Sequence, residues 1–171
     1  MFSYIQGEVK ELYGIAKITH LVFVGEKKVA ETLYKYLLNK PINRYLGHDI
    51  KWLERDDSDI FNNHLELCGQ AKINKAMWDK MYEEETRYAG LFIEGKMIAR
   101  ACVEKYSDLY WEVGDVRVAQ AYRNQGYAHE IGTFVMNYIV SQQKVPTMRT
   151  EEDNIKMRKV IEDLGFKAAE V

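Results

Sequence analysis

The second half of the chain alternates strand and helix signals, and this order restricts the fold more than any other feature. Two apolar runs rich in β-favouring residues, Tyr88–Ile93 and Met97–Glu104, flank the dipeptide Glu94-Gly95. Such a pair of runs predicts a hairpin with a tight turn. A third strand is predicted over Trp111–Ala119, and Gly114 inside it is a candidate β-bulge.

Helical periodicity begins after this third strand. Apolar residues spaced i, i+3, i+4 and i+7 predict a helix over Ala128–Val140, and a second helix over Asn154–Leu164 ends before a capping glycine, Gly165. A short strand over Thr147–Thr150 lies between the two helices. This order predicts a mixed sheet with helices packed on it, an α/β (α+β) fold.

The first half of the chain carries weaker signals. Strands are expected over Lys17–Val24 and Asp49–Leu53, and helices over Glu26–Leu38, Ser58–Leu67 and Ile73–Glu85. The segment around Pro41 marks a boundary. We therefore expect a mostly helical N-terminal extension over residues 1–47 and a main domain over residues 48–171.

Composition excludes several classes of protein. The chain has 171 residues, about one domain, with 47% hydrophobic and 29% charged residues, and this composition does not suit a disordered chain. A net charge of −2 offers no basic excess for general nucleic-acid binding. No run of apolar residues is long enough to span a membrane, and charges at Glu8, Lys10 and Glu11 do not suit a signal peptide.

The cysteines and histidines point to structural roles. Cys68 and Cys102 lack the spacing of a metal site and are too few for a disulfide framework, so we expect reduced, inert thiols, a cytoplasmic location and no metal. His20, His48 and His64 show no spacing to a partner residue and are expected to be structural.

A loop between the third strand and the following helix carries the main functional signal. Arg123, Gly126 and Ala128 lie where the strand ends and the helix begins. Backbone N–H groups at a helix N-terminus attract phosphates, and Gly126 lets a ligand approach the backbone. An ordinary strand–turn–helix connection would show the same pattern. Neither a P-loop nor a GxGxxG dinucleotide motif occurs.

The spacing of this loop is more specific than its composition. The pattern Arg123-x-x-Gly126-x-Ala128 resembles the acyl-CoA loop of the GNAT superfamily of N-acetyltransferases, and Asn154 followed by Leu164-Gly165-Phe166 is similar to that family's second motif. The resemblance implies a splayed sheet that binds acetyl-CoA as co-substrate between strands near Val118 and Met148. It implies a cofactor site made of Val116, Arg117, Val118, Arg123, Asn124, Gln125, Gly126, Tyr127, Ala128, His129 and Asn154.

Acetyl transfer to an amine also needs a base. An alkylamine has a pKa near 10.4, so only about one in 10³ is neutral at pH 7. The spacing of Glu112 to Val118 and Arg123 resembles that of the glutamate base in the histone-acetyltransferase branch of the family, and Asp115 is the second candidate. A bulge at Gly114 could bring both carboxylates to one face. The Val118 N–H is the expected oxyanion donor.

One departure from the family pattern opens a second possibility. Many members carry a tyrosine general acid seven residues after the motif asparagine, and this chain has Ile161 there. The leading expectation is an N-acetyltransferase that acts on a primary amine of a small molecule or peptide; the alternative is a non-catalytic acyl-CoA-binding or sensing protein. Family members usually continue into another strand beyond the residue matching Phe166. We therefore expect either a sheet that is short at that edge or an edge completed by the N-terminal extension or by a partner chain in a homodimer.

Overall fold

A computed structural model of the chain describes residues 17–24, 27–38, 47–105 and 107–168, with the backbone alone for residues 17–38 and 168. The chain divides into two compact units, residues 42–146 and residues 1–41 with 147–171. The described elements, in chain order, are β1 (Lys17–Val24), β2 (Lys27–Leu38), β3 (Asp49–Trp52), α1 (Ser58–Leu67), α2 (Lys75–Glu83), β4 (Arg87–Ile93), β5 (Lys96–Lys105), β6 (Tyr110–Val118), a 3₁₀ turn (Gln120–Tyr122), α3 (Tyr127–Ser141), β7 (Val145–Glu151), α4 (Ile155–Asp163) and β8 (Phe166–Ala168).

Strands β3 to β6 form an antiparallel meander in the unit of residues 42–146. The predicted hairpin between β4 and β5 is confirmed, because Ile93 pairs with Lys96 and the two turn residues, Glu94 and Gly95, have positive φ angles of 50° and 76°. Two successive positive φ values define the turn whose twist matches that of the strands it joins.

Helices α1 and α2 cover one face of this meander. Phe61, Leu65 and Trp78 pack with Tyr88 of β4 and Cys102 of β5 in one buried cluster. The ring of Phe61 lies 4.9 Å from that of Trp78 and 4.6 Å from that of Tyr88, between centroids. The apolar faces of these two helices are therefore what holds them against the sheet.

Helix α3 packs against β4, β5 and β6. Its residues Ile131, Val135 and Ile139 are fully buried, as the predicted periodicity requires. Trp52 of β3 contacts the same helix, with its ring 5.3 Å from that of Phe134 and 4.8 Å from that of Tyr138. Since neighbouring residues of a strand point to opposite faces, Trp52 and its cross-strand partner Ala89 lie on the face opposite Tyr88.

The second unit is built around β2. This strand pairs antiparallel with β1 through residues 27–34, with β7 through residues 33–37 and with β8 through residues 36–38. The strand expected to complete the edge beside Phe166 is thus supplied by the N-terminal extension. Helix α4 ends before Gly165, whose φ of 96° confirms the predicted C-cap.

The helix predicted over Glu26–Leu38 is wrong. The prediction of a mostly helical N-terminal extension is also wrong for the residues of that extension that the structure describes. Residues Lys27–Leu38 form a strand. The segment carries β-favouring residues at alternate positions, Thr32, Tyr34 and Tyr36, and it also shows a helical stripe. Pairing with three other strands decides between the two patterns, because strand formation depends on cross-strand partners.

Within the described residues, no helix is long and apolar enough to cross a membrane.

Candidate functional site

A β-bulge interrupts β6 where the sequence predicts one. Arg100 of β5 pairs with Arg117, and Cys102 pairs with Gly114, so that two residues of β6 oppose the single residue between them on β5. The residue that takes the unusual conformation is Asp115, with a φ of 43°, and not Gly114. Asp is one of the few side chains that tolerate the left-handed region.

The bulge brings Glu112 and Asp115 to the same face of the sheet, which strict alternation would forbid. Glu112 pairs directly with Glu104 of β5, on the face that also carries Cys102. Asp115 turns to this face as well, where its Oδ2 accepts hydrogen bonds from the Tyr88 hydroxyl at 3.2 Å and the Arg100 Nε at 2.8 Å. The two predicted carboxylates therefore share the side of the sheet covered by α1 and α2.

The two carboxylates differ in their surroundings. Glu112 is 3% exposed and Glu104 lies across from it on β5. Asp115 is held by the guanidinium groups of Arg100 and Arg117, the latter with its Nε 3.4 Å from Oδ1. Both oxygens of Asp115 are thus engaged by protein donors, and this arrangement suits an anchoring role better than proton transfer.

Arg100 is the centre of a buried polar network that the sequence analysis missed. Its side chain is 1% exposed, and besides Asp115 it donates to His64 Nδ1 at 3.0 Å and to Gln70 Oε1 at 2.7 Å. The guanidinium also lies 5.3 Å from the centroid of the Phe61 ring. The sequence did carry a signal of this network, namely a single arginine within the apolar run Met97–Glu104. Charged residues are rarely buried without partners, so an arginine in a buried strand indicates polar groups around it.

His64 is neutral in this network. Burial, and secondarily the charge of Arg100, lower the pKa of His64 from 6.5 to about 4. Its Nδ1 must carry a lone pair to accept the hydrogen bond from Arg100. The expected structural role of this histidine follows from that contact.

The thiol of Cys102 lies among the carboxylates of this face. Burial raises the pKa of Cys102 well above its ordinary value, and Glu104, Asp115 and Glu112 raise it further. Its Sγ lies 3.6 Å from Glu104 Oε1. A thiol that is kept protonated is a poor nucleophile, so the expectation of an inert Cys102 agrees with its surroundings. Burial raises the pKa of Cys68 also.

The peptide groups at the end of β6 point in alternating directions. The Ala119 N–H donates to the Ile98 carbonyl of β5 at 2.9 Å, and Val118 pairs with Ala99. Since adjacent peptide groups of a strand face opposite edges, the Val118 N–H points away from β5, whereas the Arg117 N–H points toward it. Of the predicted backbone contacts, the Val118 N–H therefore points to the side of β6 away from β5, where the ligand is expected, and the Arg117 N–H does not.

The loop after β6 is held by hydrogen bonds of its own residues. Arg123 reaches back and donates from Nε to the Val118 carbonyl at 3.1 Å, which ties the loop to the end of the strand. Asn124 has a φ of 63°, and the Tyr127 hydroxyl donates to Gln125 Oε1 at 3.4 Å. Hydrogen bonds from side chains of the loop thus hold it as a compact turn.

Gly126 is the N-cap residue of α3, with a φ of 88°, and no side chain caps the helix there. The N–H groups of Tyr127 and Ala128 precede the first intrahelical bonds, while the N–H groups of His129 and Glu130 donate to the Gly126 carbonyl. An uncapped first turn at the positive end of a 15-residue helix suits a phosphate or pyrophosphate.

The first turn of α3 is anchored from its other side. The Glu130 carboxylate accepts hydrogen bonds from the backbone N–H and the Nδ1 of His48, both at 2.8 Å. The His48 ring lies edge-on to the Tyr127 ring at 5.1 Å. These contacts fix the helix start relative to the residue that precedes β3.

Asn154 of the predicted second motif and Ile161, at the position of the family's tyrosine acid, lie in the other unit. Asn154 is the N-cap of α4, and its Oδ1 accepts from the Met157 N–H at 3.2 Å. Ile161, at the position where a tyrosine acid was expected from the family, is fully buried. Asn154 thus has a clear capping role, and its contact with a cofactor remains a prediction.

A family model described as the acetyltransferase (GNAT) family matches residues 48–166. A comparison with curated proteins finds no match.

Three solved structures illustrate the likeness in fold. A GNAT-family protein from Novosphingobium aromaticivorans shares 18% identity, with a TM-score of 0.67 over 91% of this chain and 64% of its own. An acetyltransferase of the GNAT family from Colwellia psychrerythraea shares 23% identity, with a TM-score of 0.67 over 80% of this chain and 52% of its own. The yncA protein of Salmonella typhimurium, solved with acetyl-CoA, shares 12% identity, with a TM-score of 0.55 over 70% of this chain and 79% of its own.

The chain therefore spans 64% and 52% of the first two structures. These likenesses confirm the predicted fold class, a mixed sheet flanked by helices. Because the family model matches more than half of the chain, the protein belongs to the acetyltransferase (GNAT) family.

Proposed function

We propose that the protein transfers an acetyl group from acetyl-CoA to a primary amine by direct attack of the amine on the thioester. The observation that carries this proposal is the uncapped start of α3 at Gly126, in the loop that follows β6 and within the region that the GNAT model matches. The pyrophosphate of acetyl-CoA binds the N–H groups of Tyr127 and Ala128. The pantetheine arm follows the edge of β6 at Val116–Val118, as a strand adds to a sheet.

The reaction forms one C–N bond and breaks one C–S bond. The amine nitrogen attacks the thioester carbonyl carbon, and the outward N–H of Val118 donates to the oxygen as it gains negative charge. Collapse of the intermediate expels the CoA thiolate. The thiolate needs little assistance, because a thiol has a pKa near 8.5. The proton lost by the amine passes to a base, and the thiolate takes up a proton.

Glu112 is the base in this proposal. It lies on the sheet face covered by α1 and α2, and it is buried, so it is shielded from bulk water. A carboxylate in such a place can accept the proton of an arriving ammonium directly or through a water molecule. Asp115 is less suited, because Arg100, Tyr88 and Arg117 engage both of its oxygens.

We expect a cationic amine as acceptor, because two carboxylates of this face lie beside each other while Arg100 and Arg117 offset the third, Asp115. Glu112 and Glu104 lie side by side, and Asp115 is near them. An amine of a small molecule or a peptide arrives at neutral pH as a cation, which these carboxylates attract. The alternative, an acyl-CoA-binding protein without turnover, is favoured by one observation: buried Ile161 replaces the general acid of many family members.

Turnover with a panel of amines tests the proposal. Release of CoA from acetyl-CoA is measured for the unmodified protein, for Glu112→Gln and for the exposed control Glu66→Gln, which keeps the same chemical change away from the site. We expect Glu112→Gln to lower kcat by about 10²-fold or more without weakening acetyl-CoA binding, as loss of a general base does. An unchanged rate in this variant would exclude Glu112 as the base; binding of acetyl-CoA without turnover would favour the alternative.

A further inference from the structure

We propose that Arg100 is a positioning residue, which acts through Asp115 to hold the β6 bulge and thereby aims the Val118 N–H at the acyl group. This inference rests on the proposed function, because its ligand is acetyl-CoA. The part that concerns the β6 bulge involves the protein alone and can be tested without a ligand. The side chain of Arg100 does not lie on the side of β6 that faces away from β5. It lies opposite Arg117 on β5, on the face covered by α1.

The direction of every peptide group after the bulge depends on the extra residue. The side-chain and peptide directions of a strand repeat every two residues, so a slip of one residue reverses them all. With the bulge in place, the Arg117 N–H faces β5 and the Val118 N–H faces away from β5. If β6 lost the extra residue, Val118 would turn its N–H toward β5, and Arg117 would turn its own outward.

The bulge requires Asp115 to adopt a positive φ, 43°, which costs energy for any residue other than glycine. Such a conformation persists only where its surroundings fix it. Here the fixing contacts come from Arg100 at 2.8 Å and Tyr88 at 3.2 Å on the same Asp115 oxygen. Two further contacts hold Arg100 itself, to His64 and Gln70. The clamp, defined as Arg100, Asp115, His64 and Gln70, therefore spans α1, the segment after it, β5 and β6.

The arginine side chain is specifically suited to this task. Its planar guanidinium donates in three directions at once, to Asp115, His64 and Gln70. A lysine at the same position keeps the positive charge but offers a single point donor on a flexible stem. We therefore expect Arg100→Lys to preserve the fold and to loosen the bulge.

The first test measures the bulge without a ligand. Amide hydrogen exchange is followed by NMR in the unmodified protein, in Asp115→Ala, in Asp115→Asn and in Arg100→Lys. Protection of the Arg117 amide, which faces β5, should fall by about tenfold or more in Asp115→Ala and Arg100→Lys, because these lack the clamp. Asp115→Asn should retain it, since Asn also tolerates a positive φ and can accept a hydrogen bond from Arg100. Full protection of Arg117 in Asp115→Ala would overturn the proposal.

The second test separates the two halves of the cofactor. Calorimetric binding is compared for acetyl-CoA and for 3′-phospho-ADP, which is CoA without its pantetheine arm and contacts only the loop at Gly126. The clamp variants should bind acetyl-CoA about tenfold more weakly, a loss of about 1.4 kcal/mol, and 3′-phospho-ADP unchanged. The control is Arg55→Lys, an exposed arginine paired with Asp79 and Glu83.

The outcomes separate this inference from the proposed function. Equal loss of both ligands in the clamp variants would indicate general damage and would overturn the positioning role. Failure of the unmodified protein to bind acetyl-CoA would contradict the proposed function, while the exchange of the Arg117 amide would still decide for or against the clamp.

Discussion

Mild acid should destabilise this protein through His64, and the size of the effect follows from its buried position. Burial and Arg100 lower the pKa of His64 from 6.5 to about 4 in the folded protein. In the unfolded chain the ring takes up a proton near pH 6.5. Between these two values the unfolded state binds more protons than the folded state, so the free energy of unfolding falls as the pH falls.

The magnitude is set by the difference between the two pKa values. Each unit of difference is worth about 1.36 kcal/mol, so protonation linked to His64 alone removes about 3 kcal/mol once the pH falls below both values. Between pH 7 and pH 5 the same linkage removes about 2 kcal/mol. That is a large share of the 5–15 kcal/mol typical of a folded domain.

Urea unfolding of the unmodified protein and of His64→Asn, from pH 7 to pH 5, isolates this contribution. Asn does not titrate, and its Oδ1 can accept the hydrogen bond that Arg100 donates to Nδ1. Other groups titrate in both proteins and cancel in the difference. We expect the unmodified protein to lose about 2 kcal/mol more than the variant over this range. An equal loss in both would refute the argument that His64 is neutral and buried in the folded state.

Two glycine substitutions test the packing and the loop. Gly90→Ala should lower the free energy of unfolding in urea by about 1–3 kcal/mol, because the new Cβ would overlap Met97 Sδ and lie 2.9 Å from Phe92 Cε2. An unchanged urea midpoint would contradict the close packing around Gly90. Gly126→Ala should lower the free energy of unfolding by about 1–2 kcal/mol. No atom lies within 4 Å of the new Cβ, so the loss comes from the backbone φ of 88°, which alanine adopts unfavourably. Gly126→Asn should lose less stability than Gly126→Ala, because asparagine tolerates that conformation. An equal fall in Tm for the two variants would show that backbone conformation is not the cause.

The sequence predicted the elements whose signals are local. The hairpin at Glu94-Gly95, the helix over Ala128–Val140 and the cap at Gly165 depend on turn residues and on an apolar period, and all three are present. The loop at Gly126 was predictable for the same reason, since a strand, a short loop with this glycine and a helix follow one another in the sequence.

The features that the sequence did not reveal depend on contacts between distant segments. Residues Lys27–Leu38 carry both a helical and an alternating pattern, and only pairing with other strands selects the second. The network around Arg100 joins residues 36 positions apart, His64 and Arg100, which no local pattern connects. The bulge was expected at Gly114, but the positive φ falls on Asp115 because Arg100 and Tyr88 hold its side chain.

Thermal unfolding in the presence of ligands tests whether the protein binds acetyl-CoA, as proposed for the start of α3. Acetyl-CoA, CoA, ATP and NAD are compared in parallel. A ligand at 100 times its Kd stabilises the folded state by about 2.7 kcal/mol, which gives a clear rise in Tm. We predict a rise with acetyl-CoA and CoA alone. No rise with either CoA form, or an equal rise with ATP and NAD, would contradict this proposal.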